Sequence, residues 1–412
     1  MLVKKIHALI FIFLLFFIFS IVGSNIYLFS TALSFRNILF FPILVIIFVL
    51  RKVKITNNQI LIGIPIFLLF ALGVMHFIFY FKFEIEVFKD FFYFTFIPVQ
   101  FLVIILLGNK FNWDFFKTMF NLSFNLLVLL FLITIFEFFT NIHFRSHNSS
   151  GNLIPSGFFT NSNDLSVVAI SLLMLLMAFS RTYSNSKKDI VITLFSGIIV
   201  LITLSRISII AYFILVFFKF VSKINTNKLI ILIVSLASLF IIISQIKLPS
   251  KSNSIIERSI IRINSLNNLE SQFNNKKSSL AIRYDIYKIP FNNPSYFITG
   301  YGFNSDKEVI EKFSRSSHKI INSHSFFIQL IFYFGWLGFA ILSLFFFLLV
   351  LISLLKPNYN FLLIIFSQAL IINIPSSIMR MPIIWIPFFI IISFYTYNVK
   401  INNDELNKVD IL

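Results

Sequence analysis

Residues 322–355 read NSHSFFIQLIFYFGWLGFAILSLFFFLLVLISLL and join a polar stretch of the chain to an apolar one. Upstream, residues 247–323 form a long polar stretch that is rich in Arg and Lys. Downstream, residues 325–355 are apolar over more than the roughly 20 residues that cross a bilayer. His324 stands at the boundary. The sequence therefore places water, charge and lipid side by side at this point.

The composition is that of an integral membrane protein. The chain has 412 residues, of which 58% are hydrophobic and 12% are charged, and its mean hydropathy is +0.92. Soluble domains carry about 25% charged residues. The chain has no Cys, which excludes disulfides, thiol chemistry and Cys-ligated metal sites. The sequence predicts no cofactor and no metal site.

The apolar segments predict an all-α, polytopic integral membrane protein with about 12 transmembrane helices and one long extracytoplasmic loop. Helices are expected because lipid cannot satisfy unpaired backbone groups. Nine of the helices fall in residues 1–246, the loop is residues 247–323, three helices fall in residues 324–399, and residues 400–412 form a tail. The twelve predicted spans are residues 6–22, 37–50, 60–81, 91–107, 119–139, 164–180, 189–204, 207–222, 228–246, 325–355, 360–376 and 382–399.

The distribution of charge predicts the orientation. If the N-terminus is cytoplasmic, sixteen Lys and Arg lie in cytoplasmic segments and six in short outer loops. This bias follows the positive-inside rule. Both termini are therefore expected in the cytoplasm and residues 247–323 on the outer face of the cytoplasmic (inner) membrane. The net charge of +18 is then largely topological and does not indicate a nucleic-acid partner.

Arginine is concentrated on the predicted outer face. Arg binds phosphate through two parallel hydrogen bonds and stays charged, which suits an anionic ligand. Anchoring to lipid headgroups explains the same bias equally well. Eight of the ten Arg are on this face: Arg36, Arg145, Arg206, Arg258, Arg262, Arg283, Arg315 and Arg380.

Three residues are candidates for the chemistry of a site at this face. The imidazole of His324 can accept a proton near neutral pH, although a structural role at the membrane interface is the alternative. Arg206, in LSRIS, lies between two predicted spans, where a charge is costly unless it has a function or reaches the interface. Arg283 lies in the polar loop.

The segment PSGFFTNSND, residues 155–164, precedes a predicted span. Asn163 or Asp164 is expected to cap that helix. Both are also candidates for binding substrate. Glu137, near the outer end of its span, is a further candidate that could orient a His or an Arg.

Several motifs resemble those of the O-antigen polymerase and ligase superfamily. GFFTNSND is similar to its Gly-Phe-x-Asn-x-Asn segment, and LSRIS to its Ser-Arg motif between spans. His324, Ser325, Gly335 and Gly338 fit its pattern of a histidine followed by two spaced glycines. The loop pattern Arg–Pro–Gly–x–Gly is found at Arg283, Pro294, Gly300 and Gly302. The family's usual Asn-Pro-Asn is Asn-Ser-Asn here, and its frequent His-Asn is His-Ser.

The resemblance implies a metal-independent, inverting glycosyltransferase whose donor is an oligosaccharide linked to polyprenyl pyrophosphate. His324 would be the base, and Arg206 and Arg283 would hold the pyrophosphate, with Arg258 and Arg380 as weaker candidates. A polymerase would extend a lipid-linked repeat unit of a surface polysaccharide, either an O-antigen or a capsule. The expected partners are the donor, the bilayer, a chain-length regulator and a flippase.

Two other functions remain open. An O-antigen ligase has the same chemistry but transfers the glycan to the lipid A–core of lipopolysaccharide. A flippase or transporter for a lipid-linked sugar is the third. Transporters place ionisable groups near the bilayer midplane and often contain repeats. Here the ionisable groups cluster at the rim and no repeat is apparent, which disfavours transport.

The orientation can be tested with single cysteines, because the native chain has none. The Ser271→Cys variant should react with an impermeant maleimide in intact cells, since residue 271 lies in the predicted outer loop. The Ser186→Cys variant should react only after lysis. Labelling of both variants from outside would refute the predicted topology.

Overall fold

A computed structural model describes residues 2–21, 35–80, 84–140, 142, 154–159, 161–203, 205–221, 279–313, 323, 325–355, 359–374 and 381–409. This part of the chain is helical and contains no strand. Its α-helices are α1 (Leu2–Ile21), α2 (Phe35–Val49), α3 (Asn57–Phe79), α4 (Ile85–Thr140), α5 (Ser162–Tyr183), α6 (Ser186–Thr203), α7 (Arg206–Val221), α8 (Ser279–Asn292), α9 (Asp306–Phe313), α10 (Phe326–Leu355), α11 (Tyr359–Ile371) and α12 (Trp385–Val409). Short 3-10 turns occur at Pro294–Phe297 and Pro382–Ile384.

The helices confirm the all-α prediction. Every predicted span on the described residues coincides with a helix or with one arm of α4, and only residues 228–246 lie outside them. Among the residues that the structure describes, four helices are long and apolar enough to cross a membrane: Asn57–Phe79, Ile85–Thr140, Ser162–Ser180 and Phe326–Leu355. The count of twelve spans therefore stays a prediction. The polar stretch is not wholly irregular, because α8 and α9 fall within it.

Helix α4 consists of two arms. A straight helix of its 56 residues would be about 84 Å long, far more than a bilayer is thick. The break lies at Asn112, whose φ of 51° and ψ of −128° are not helical. The two predicted spans, residues 91–107 and 119–139, lie on these two arms. In the structure, the connection between them contains one non-helical residue, Asn112.

Phenylalanine forms much of the core. The Phe116 ring contacts those of Phe179 and Phe394 at centroid distances of 5.9 and 5.2 Å, which joins α4 to α5 and α12. Other large apolar side chains point outward, among them Phe48 and Phe79, both 74% exposed. An apolar exterior of this kind is suited to lipid rather than water.

The contacts at the helix ends divide the bundle into two ends. At one end, the Trp113 ring lies near those of Tyr183 and Tyr397. At the opposite end of α12, its first residue, Trp385, contacts Phe326 at the start of α10. The motif segments lie at this second end, which we call the motif end of the bundle.

Helix α10 is broken at Gly335, where φ is 70° and ψ is −168°, a conformation that is essentially confined to glycine. A turn of the preceding loop pairs with the helix just before this break. The backbone N–H groups of Tyr301 and Gly302 donate to the carbonyl oxygens of Phe332 and Tyr333, at 2.7 and 2.9 Å. These bonds satisfy carbonyl groups in an apolar region where water is not available.

Glycine is required on both sides of this contact. A Cβ on Gly300 would lie 2.5 Å from the backbone nitrogen of Gly335. A Cβ on Gly335 would overlap the carbonyl of Ile298. The close neighbour of Gly335 is therefore the backbone of the loop, at Ile298 and Gly300. We call this contact the glycine interlock.

Gly335→Ala should destabilise the protein by about 1–3 kcal/mol from backbone strain alone, with the overlap on Ile298 in addition. Its thermal unfolding in detergent should therefore shift to a clearly lower temperature. Gly63→Ala is the matched control, because its added methyl group lies in α3 and meets the Phe101 side chain at 3.0 Å, a contact that a small shift relieves. Equal stability of the two variants would contradict the interlock.

Candidate active site

The segment before α5 is held by a buried carboxylate. Glu137 Oε2 accepts hydrogen bonds from the backbone N–H groups of Ser156 and Gly157, at 2.8 and 2.9 Å. Gly157 has φ of 57°, so the turn also depends on a glycine. Glu137 is fully buried. It positions the start of the GFFTNSND segment, and the expected orientation of a His or an Arg by Glu137 stays a prediction.

The predicted cap of α5 is wrong by two residues. The side chain of Asn161 caps the helix and accepts from the N–H groups of Asn163 and Asp164, at 2.7 and 3.1 Å. Asn163 and Asp164 lie instead in the first turn. Asp164 is buried there, and a carboxylate in the first turn is favoured by the helix dipole. Substrate binding by these two residues stays a prediction.

A chain of buried hydroxyls joins the GFFTNSND and LSRIS segments. The Ser166 and Ser208 Oγ atoms are 2.7 Å apart, and Ser208 Oγ donates to Ser205 Oγ at 3.0 Å. Ser166 belongs to the first turns of α5, whereas Ser205 and Ser208 flank the start of α7. The two motifs, about 40 residues apart in sequence, are therefore neighbours at the motif end.

Arg206 is the first residue of α7 and is partly buried. A cation at a helix N-terminus is opposed by the helix dipole. It is opposed also by a second cation, because the charge of Arg283 acts on Arg206.

Arg283 is supplied by α8, in the loop. It is partly buried on a helix whose other face is exposed. Burial raises the pKa of Tyr287, one turn further along, whereas the positive charge of Arg283 lowers it. Two of the three residues predicted for catalysis thus come together from distant parts of the chain.

Sequence reasoning missed a buried polar cluster beside the glycine interlock. The Tyr333 hydroxyl lies 3.0 Å from Asp90 Oδ2 and 2.8 Å from Asp306 Oδ2. Gln329 Nε2 lies 3.0 Å from the same hydroxyl and 3.4 Å from Asp306 Oδ2. All four side chains are buried. We call them the carboxylate–tyrosine cluster. The sequence offered one sign of it, the polar residues Gln329 and Tyr333 four positions apart in the apolar helix α10.

Three of the predicted site residues, His324, Arg258 and Arg380, lie outside the described residues. Both neighbours of His324 are described and buried. Ser325 Oγ donates to Asn373 Oδ1 at 2.6 Å, and the Phe326 N–H donates to the carbonyl of Ile372 at 3.3 Å. These contacts join the start of α10 to the end of α11.

The arrangement is suited to binding an anion. The positive charge of Arg283 acts on Arg206 at the motif end, and the N-terminus of α7 adds partial positive charge. Arg binds phosphate oxygens through paired N–H donors. Within the described part of the chain, no three His, Asp or Glu side chains are grouped as metal ligands.

Comparison with known proteins supports the family resemblance. A family model described as O-antigen ligase matches residues 191–343. The match includes LSRIS, the loop with Arg283, and α10 beyond its break at Gly335. It supports the O-antigen polymerase and ligase superfamily, and with it a glycan-transferring membrane enzyme. The chain matches no curated protein.

Proposed function

We propose that this chain, a relative of the O-antigen polymerases and ligases, is a polymerase of a surface polysaccharide of O-antigen or capsule type. It would transfer a glycan from polyprenyl pyrophosphate to a sugar hydroxyl of a lipid-linked repeat unit. The reaction would take place on the outer face of the cytoplasmic membrane. The observation that carries the proposal is the proximity of Arg206 and Arg283 at the motif end of the bundle.

The proposed reaction is a single displacement that inverts the anomeric carbon. The acceptor hydroxyl attacks this carbon, a new glycosidic C–O bond forms, and the C–O bond to pyrophosphate breaks. The hydroxyl proton passes to His324 as general base. Negative charge grows on the departing lipid pyrophosphate, where Arg206 and Arg283 stabilise it electrostatically. Arg258 and Arg380 are further candidates for contacts with the same group.

The remaining residues of the proposal concern orientation. Glu137 holds the turn at Ser156 and Gly157 that leads into α5. Asn163 and Asp164 lie in the first turn of that helix, beside the hydroxyl chain that reaches α7. This placement supports a role near the donor's sugar or pyrophosphate.

An O-antigen ligase is the second candidate, and the description of the matching family favours it. Ligase and polymerase break the same lipid-pyrophosphate bond and differ in the acceptor. We favour the polymerase because GFFTNSND is closer to polymerase segments.

The decisive assay uses purified protein and one lipid-linked repeat unit as the only sugar substrate. A polymerase should produce a ladder of longer lipid-linked chains, and should do so with EDTA present if no metal takes part. Loss of the protein in cells should leave surface glycan one repeat unit long. Full-length chains stranded on the polyprenyl carrier would instead identify a ligase.

Matched variants assign the residues in the same assay. His324→Ala and Arg283→Ala should each lower the rate at least about tenfold, or about 1.4 kcal/mol. Arg283→Lys should recover little, because Lys is a point charge. Arg283→Gln should unfold at the same or a higher temperature, since it removes repulsion with Arg206. Lys288→Gln, exposed on the same helix, is the control and should leave the rate unchanged.

A further inference from the structure

The carboxylate–tyrosine cluster contains more oxygen contacts than one hydroxyl proton can satisfy. Tyr333 has a single O–H hydrogen, yet its oxygen is within 3.0 Å of a carboxylate oxygen on Asp90 and on Asp306. It can donate to only one of them. Gln329 supplies N–H hydrogens to Tyr333 and Asp306 but not to the contact with Asp90. Both short contacts are hydrogen bonds only if one carboxyl group is protonated and donates to the tyrosine oxygen.

Electrostatics favours the same protonation. Asp306 is only 5% exposed and Asp90 only 2%. Burial and the charge of Asp90 raise the pKa of Asp306, whereas hydrogen bonds from Tyr333, Ser323 and Gln329 lower it. The net result is a pKa of about 6. Two nearby carboxylates in a buried site rarely both ionise.

The titratable groups that face Asp306 come from α4 and α10. From α4 the facing group is Asp90, and from α10 they are Tyr333 and the neutral Gln329. On α9 itself, Lys307 and Glu311 form an exposed pair at 3.9 Å. Among the described residues, Asp90 is the charged neighbour that acts on Asp306.

The cluster joins parts of the chain that the proposed reaction needs in fixed positions. Asp306 begins α9, a few residues after the glycine interlock, and follows α8 with Arg283 in the loop. Ser323, which also acts on Asp306, directly precedes His324 in sequence. Asp90 lies in the first arm of α4, which begins at Ile85. Three segments therefore meet at one hydroxyl group.

We propose that Asp306 is a positioning residue, which shares one proton with Asp90 through Tyr333 and thereby clamps the Arg283 loop to the helix bundle. The inference rests on the proposed function for its effect on activity. Loss of the shared proton leaves two buried carboxylates facing one hydroxyl, and the clamp loosens. Asp306 does not touch the substrate; it acts through the loop and through the start of α10.

Stability gives a test that needs no substrate. The pKa of Asp306 in the folded protein is above its ordinary value of 3.8. Its contribution to stability is therefore full at low pH and is lost as the pH rises through about 6. The unfolding temperature of the wild type should fall between about pH 4 and about pH 7, and this group should change it little at higher pH. Asp306→Asn, whose amide imitates the protonated acid, should lose most of this fall. Asp285→Asn, at an exposed position, should retain it.

Activity gives the second test, with the same variants in the ladder assay. Asp306→Asn should keep at least about one third of wild-type activity at about pH 5 and should decline less toward about pH 8. Asp306→Ala should be about tenfold slower at both pH values, because it cannot bridge to Tyr333. If neither the wild type nor any variant produces a ladder, the proposed function is wrong. The dependence of stability on pH then still tests the role of Asp306.

Infrared titration of the wild type keeps the proposal testable if a variant does not fold. A band from a buried protonated carboxyl should be present below about pH 6 and disappear above it. The proposal is overturned if this band is absent. It is overturned also if folded Asp306→Asn has the wild-type dependence of stability on pH, or is inactive at low pH.

Discussion

The glycine interlock is the contact on which the rest of the structure depends. A helix broken at Gly335 leaves carbonyl groups that apolar surroundings cannot solvate. The N–H groups of Tyr301 and Gly302 satisfy two of them, which fixes the loop to the helix bundle. Only glycine permits the approach, because a Cβ on Gly300 would meet the backbone of Gly335. The loop, which also contains α8 with Arg283, is thereby attached to the folded bundle.

Groups of like charge come together at two places in this region. Arg206 lies at the positive end of α7 and is repelled by Arg283. The carboxylate–tyrosine cluster, to which the same loop contributes Asp306, buries two carboxyl groups. Functional sites often contain such unfavourable interactions, which lower the stability of the folded protein. A pyrophosphate between the two arginines would relieve the first, and the shared proton relieves the second.

The sequence was sufficient for the features that depend on local pattern. Hydropathy located the helices, and motif order indicated Arg206 and Arg283, which do come together. The cap of α5 was misplaced because Asn161, Asn163 and Asp164 are all good capping residues, and only the backbone distinguishes them. The polar pair of α10 marked Tyr333, but its pairing with Asp90 was not predictable, since Asp90 is 243 residues away. Such a pairing is decided by tertiary packing, which leaves no local pattern.

The central claim is that Arg206 and Arg283 form one anion site. A double-mutant cycle on binding of a short-chain prenyl pyrophosphate tests it most directly, with Arg206→Gln, Arg283→Gln and the double variant. If both arginines hold the same pyrophosphate, each single change should weaken binding by about tenfold, and the two losses should not add in the double variant. Losses that simply add, or unchanged binding in either single variant, would contradict the account.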